Sequence, residues 1–424
     1  MQEDFLHYVW KFQKFSTSHL ISQNNEAVEI VLQGSHNLDS GPDFFNAQIR
    51  IGSQLWVGNV EIHLKSSDWY AHRHELDPAY DNVILHVVWE HDVDVFRKDN
   101  SVIPTLELKN RIENSTLSSY NKLFSGKKNW IPCEDSFGEV EDFVLQNWLE
   151  RLYFERLENK SSLIFELLEE SKNDWEAVLF RMLAKNFGLK NNGQAFLSMA
   201  RSFDFSVLRK VQKNQLQTEA LLFGQAGLLE TDVDDDYFQK LKNEYAFLKN
   251  KFQLENRDVP PVQFFRLRPV NFPTIRLAQL SALYFDKHQL FASILLVKNQ
   301  DEVYLLFDSY ASAFWDTHFH FQSLSLKRKK KLSKSFIDLL IINTILPVVF
   351  CHFKQLGKEI PDVFIELIQD VASEENSIVS KFNELKPVAK NAMHSQALIE
   401  LKTKYCDKKR CLQCAVGNNL LNKN

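Results

Sequence analysis

The chain has 424 residues, 44% of them hydrophobic and 25% charged, with only 12 Gly and 11 Pro. That length accommodates about two or three domains and a core that needs neither disulfides nor metal to fold, and the scarcity of Gly and Pro excludes collagenous, mucin-like and extensively disordered chains. Lys plus Arg total 50 against 55 Asp plus Glu, a formal net charge of −5, which excludes a polyanion-coating protein and leaves room for a local basic groove.

The first residues, Gln2, Glu3 and Asp4, replace the basic segment that opens a secretory signal. Phe5, Trp10, Phe12 and Phe15 among polar neighbours predict one amphipathic helix. From Ala27 the period shortens to two, so Val28, Ile30 and Leu32 predict a strand ending at Gly34. A turn-rich stretch then leads to Asp43, where a second alternating run reaches Ile51. Gly52-Ser53-Gln54 reads as a hairpin turn into a third strand, Leu55 to Lys65, on which Glu61, His63 and Lys65 share one face. Residues 66–82 are polar and part helical. Val83 to Trp89 is apolar nearly throughout, as a central strand buried on both faces would be, and Ile103 to Leu108 predicts a fifth strand. Beyond Lys109 the spacing is mostly helical, with Val303–Phe307 ambiguous. The longest apolar run, around 336–350, is interrupted by Asp338, Asn343, Thr344 and Pro347 and falls short of a bilayer span. The expected fold is α+β: an N-terminal mixed β-sheet domain with flanking helices over 1–130, a helical domain over 131–325, and a helical C-terminal region over 326–424. A cytoplasmic protein without a membrane span is expected; oligomeric state is not legible.

The densest chemistry lies in the first domain. Pairing across the hairpin brings Asp43 toward Glu61, and two carboxylates with the imidazole of His63 can hold Mg²⁺ or Mn²⁺. Such an ion polarises a phosphodiester and acidifies a bound water, with Lys65 placed to orient that water or neutralise developing charge. Histidines crowd the same region: His63, His72, His74, His86 and His91 are five of the 13. His86 interrupts an apolar strand and needs a partner or a ligand there.

Pro42-Asp43 followed by Glu61-Ile62-His63, in the order helix, three strands, short helix, strand, resembles the restriction-endonuclease-like PD-(D/E)XK nucleases over about residues 1–110. The resemblance implies a restriction-endonuclease-like sheet and a metal-dependent nuclease, with Asp43 and Glu61 on the metal. His63 stands where that motif has lysine, and Lys65 lies two residues further along the same face. The whole chain also resembles an uncharacterised family of Bacteroidetes proteins, through Ser40-Gly41-Pro42-Asp43-Phe44, Gly58-Asn59-Val60-Glu61-Ile62-His63, Asn271-Phe272-Pro273 and the cysteines near the C-terminus.

Five cysteines are an odd count and predict reduced thiols. Cys406, Cys411 and Cys414, spaced x4 and x2, suit a Zn²⁺ or iron–sulfur site whose fourth ligand comes from elsewhere, with Cys133, Cys351, His352 and His394 as candidates. Lys327, Arg328, Lys329, Lys330 and Lys331 form the one sharp positive block, either a nucleic-acid contact or a solvated loop. Three functions fit these residues: a nuclease centred on Asp43, Glu61 and His63; a non-catalytic nucleic-acid or protein-binding factor in which that cluster is structural; and a Zn²⁺-dependent hydrolase of small molecules.

Overall fold

A computed structural model describes residues 2–124, 129–231 and 233–422. Contacts gather the chain into two units, one of residues 1–148 and 401–424, the other of residues 149–400. The α+β class holds: a mixed sheet with flanking helices, then a helical remainder.

In the first unit, helix α1 (Glu3–Lys11) precedes strands β1 (Leu20–Ile21), β2 (Ala27–Leu32), β3 (Ser35–His36), β4 (Phe44–Ile51) and β5 (Gln54–Lys65). A crossover containing helix α2 (Asp68–Ala71) and two 3-10 turns leads to β6 (Val83–Glu90), and β7 (Thr105–Glu107) completes the sheet. The strand order is β1-β2-β4-β5-β6-β7, with β3 paired to β4. The β4–β5 pair is antiparallel, with Phe44 opposite Val60, and its two-residue turn places Gly52 at φ +59, backbone that favours glycine. Strands β5, β6 and β7 run parallel, and Glu61 is in register with His86. Parallel neighbours need a long connection, so the segment between β5 and β6 must arch back over the sheet. Gly58 permits close approach there: a Cβ would lie 2.4 Å from Ile84 Cγ2 and 2.6 Å from Asn82 O.

Alternation along β5 sorts its side chains. Val60 and Ile62 join the core beneath α1, where Phe5, Leu6, Val9 and Trp10 are fully buried. Glu61 and His63 point to the opposite face. A smaller cluster of Trp69, Val83, Val95 and Ile103, with Tyr80 against it, packs around the crossover. The segment from Leu401 returns to this unit and ends in a helix, Ala415–Asn422, whose Leu421 enters the same core.

The second unit is helical apart from one two-stranded hairpin among its described residues. The ambiguous 303–307 stretch belongs to a helix, Gln300–Leu306, capped by the Asn299 side chain. Gly224 lets its helix meet Tyr245, whose ring lies 2.2 Å from where a Cβ would stand. The apolar run expected to be too short for a bilayer span is part of a 22-residue helix, Lys334–Gln355, long and apolar enough by length and composition. It is a core helix: 67% of its apolar window is buried. The polar residues that interrupt the run are paired within the unit, since Thr344 Oγ1 accepts from Asn186 Nδ2 at 2.7 Å and Asp338 Oδ1 from Tyr304 at 2.7 Å.

Candidate metal centre

Three elements of the first unit bring polar side chains toward the Asp43–Glu61 pair. Asp43, one residue before β4, accepts a hydrogen bond from Ile62 N at 2.9 Å through Oδ2, and its own N–H donates to Glu61 Oε2 at 3.2 Å. From α1, His7 Nε2 stands 3.2 Å from Asp43 Oδ2. The carboxylates predicted to meet across the hairpin are thus cross-linked through each other's backbone. His7 joins them with no local signal in the sequence.

The crossover after β5 supplies the second group. Arg73, at φ +62, turns the chain in the left-handed region so that His72 and His74 both face back to the sheet. His63 Nε2 lies 3.1 Å from His72 Nδ1, and His74 Nε2 lies 3.1 Å from Glu61 Oε1, itself 3.5 Å from His63 Nε2. Among the described residues, His63, His72 and His74 form a group whose ligand atoms lie within 4.8 Å of one another and can hold a metal ion. His74 stacks on Tyr80 with ring centroids 3.8 Å apart and meets Trp69 edge-on, which restrains its ring.

Behind the trio, His63 Nδ1 and His86 Nε2 are 2.8 Å apart in the dry interior. For His63 Nε2 to offer a lone pair, Nδ1 must carry the proton and donate to His86, the usual support for a metal-binding imidazole. Burial, reinforced by the neighbouring imidazoles, pushes the His63 pKa down to about 2, and burial takes His86 to about 3. Both rings are therefore neutral at physiological pH, the form that ligates. Burial, with the Asp43 charge beside it, drives Glu61 up to about 9. For His7, burial pulls down but the Asp43 carboxylate outweighs it, and the imidazole titrates above its ordinary value.

The predicted residues are therefore placed as follows. Asp43, Glu61 and His63 come together, and His72 and His74 close on them. Lys65 is exposed at the end of β5, where its charge acts on Asp92 and its N–H donates to Asp68 Oδ2 at 2.9 Å. Cys406, Cys411 and Cys414 do not make a group with the spacing of the histidine trio, and all five thiols are free. The positive block, in the second unit, is split between surface and interior. Lys327, Arg328, Lys329 and Lys331 are exposed, with Lys329 paired to Asp316 at 3.0 Å. Lys330 is buried, its Nζ lying 4.1 Å from the centroid of the Phe319 ring. His72-Arg73-His74 was the signal in the sequence for the missing ligands; nothing there ties them to β5.

A family model described as "Protein of unknown function (DUF2851)" matches residues 3–377. No curated protein and no solved structure matches the chain.

Proposed function

The chain belongs to the DUF2851 family, and we propose that it is a metal-dependent hydrolase of phosphodiesters in DNA or RNA whose ion is held by His63, His72 and His74. The observation that carries this reading is the closure of three imidazoles within 4.8 Å against a buried carboxyl, with Glu61 Oε1 3.1 Å from His74 Nε2. Imidazole nitrogens favour Zn²⁺ over Mn²⁺ or Mg²⁺. Once bound, such an ion acidifies a water and polarises a phosphoryl oxygen. The protein does the rest. Glu61 is held protonated by burial and by Asp43; the charge of a bound ion beside it would draw that proton off and leave a carboxylate able to take the proton of an attacking water. Asp43 locks the start of β4 to Ile62 and fixes the height of Glu61 against the trio. His86 holds the His63 tautomer.

Two further features support a nucleic-acid substrate. The order of α1, the antiparallel β4–β5 pair with a carboxylate on each side, the crossover and the parallel β6 is the arrangement that the PD-(D/E)XK resemblance implies. Arg328 and Lys331 are exposed cations suited to phosphate contact. The test uses the full chain and His74→Ala. Zn²⁺ and Mn²⁺ binding is followed by calorimetry, and cleavage of labelled single- and double-stranded DNA and RNA with each metal. The expected result is cleavage by the wild type, reduced at least about 100-fold in the folded variant together with its metal affinity. A metal-loaded wild type that cleaves none of the four substrates would overturn the reading. If it instead hydrolysed small esters, the site would be that of a Zn²⁺-dependent small-molecule hydrolase.

A further inference from the structure

Four of the five cysteines meet in one place although the sequence separates them widely. Cys133 opens a 3-10 turn (Glu134–Glu139) before the chain leaves the first unit, while Cys406, Cys411 and Cys414 follow its return at Leu401. All four line a single pocket with Pro132, Tyr405 and Gly417. Cys133, Cys411 and Cys414 are buried and Cys406 is half-buried. The fifth, Cys351, belongs to the second unit.

The backbone N–H groups of Gly417 and Val416 and the Trp148 side chain lie beside the Cys414 sulfur. Such N–H donors are what a metal-bound thiolate needs in a dry site. The approach is enforced by sequence: at Gly417 a Cβ would lie 2.1 Å from Cys411 O, so only glycine brings the last helix this close to the cysteine turn. No three of these sulfurs stand within the spacing of the histidine trio. Four converging thiols, none in a disulfide, are poorly explained by packing alone, since a small apolar residue would fill each position.

We propose that Cys133, Cys406, Cys411 and Cys414 bind a thiolate-seeking metal centre, a Zn²⁺ ion or an iron–sulfur cluster, that clasps the two ends of the first unit where the second unit is inserted between them. Cys133 is thereby the fourth ligand that the C-terminal trio lacks. Four thiol protons leave as four metal–sulfur bonds form, with no change in the oxidation state of the sulfurs. The centre is independent of the histidine site and stands or falls without it.

The test is full-length protein purified without oxygen, with zinc, iron and acid-labile sulfide measured per chain and the visible spectrum recorded. Wild type, Cys133→Ser, Cys351→Ser and His74→Ala are compared, each checked for folding by circular dichroism. Either about one zinc beyond any held by the histidine trio, or several irons with matching sulfide and thiolate-to-iron absorption, is expected in wild type and Cys351→Ser, and that cysteine-bound metal remains in His74→Ala. Cys133→Ser should lose most of that metal while its C-terminal three cysteines remain. Should Cys133→Ser fail to fold, wild-type stoichiometry and cadmium substitution, read by the thiolate-to-cadmium absorption band, decide the matter. The proposal is overturned by His74→Ala protein without zinc or iron even after reconstitution, or by metal lost equally from Cys351→Ser. A disulfide among the four, seen as missing free thiols, would also overturn it.

Discussion

Substituting Asp43 by asparagine, alone and with His7→Leu, tests how the candidate metal centre is held together. Asparagine keeps an oxygen to accept from Ile62 N but removes the charge that faces His7 Nε2 at 3.2 Å. A hydrogen bond to a charged group contributes about 1.5–3 kcal/mol. Because His7 and Asp43 are 21% and 19% exposed, solvent screening puts the pair near the low end, at about 1–2 kcal/mol. The His7 pKa is raised in the folded protein. The stabilisation is therefore fully present below the ordinary imidazole value of 6.5 and is lost as pH rises through the raised one. Urea unfolding of the wild type, both single variants and the double variant, with chelator present and tryptophan fluorescence as the probe, gives the coupling free energy. It should be about 1–2 kcal/mol near pH 6 and close to zero near pH 9. A coupling that is absent near pH 6, or equal at both pH values, would refute the ion pair and with it the anchoring of α1 to the site.

Replacing His86 with leucine should leave His63 Nδ1 without its acceptor and weaken Zn²⁺ binding roughly 10–100-fold in calorimetry while the fold survives. In the second unit, Glu219 is fully buried beside Trp315 Nε1 at 2.6 Å, and burial raises it to about 7. The stability this represents is complete below the ordinary value of 4.5 and is lost as pH rises toward 7, at about 1.4 kcal/mol per pH unit, so about 3 kcal/mol in all. Denaturant melts of Glu219→Gln should therefore vary less between about pH 5 and 8 than those of the wild type. Gly58→Ala should cost about 1–3 kcal/mol by forcing β5 away from Ile84 and Asn82, read as a lower melting temperature; an unchanged melt would show that the strands can separate there freely.

Local periodicity carries most of the first unit. The alternation along 55–65 put Glu61 and His63 on one face, and the Gly52 turn set a hairpin in which Asp43 had to come level with β5. The nearly all-apolar stretch from Val83 reads as a central strand, and its backbone does run between β5 and β7. These features follow from the two-residue repeat of the strand and from turn stereochemistry, and neither depends on distant residues. The apolar helix at 334–355 was foreshortened for the opposite reason: Asp338 and Thr344 looked like breaks, but Tyr304 and Asn186, far away in sequence, satisfy them.

The histidine trio depended on tertiary structure. His72 and His74 stood out by composition, yet only the return of the crossover between two parallel strands brings them to His63, and only the packing of α1 on the sheet brings His7 to Asp43. The meeting of Cys133 with Cys406, Cys411 and Cys414 is of the same kind, as is the inward turn of Lys330 within a run of like charges. Sequence determines which faces are apolar and where the chain can turn. Which distant polar groups share a dry space is decided when those faces are buried together, since an unpaired polar group left inside costs more than the local preference it would satisfy.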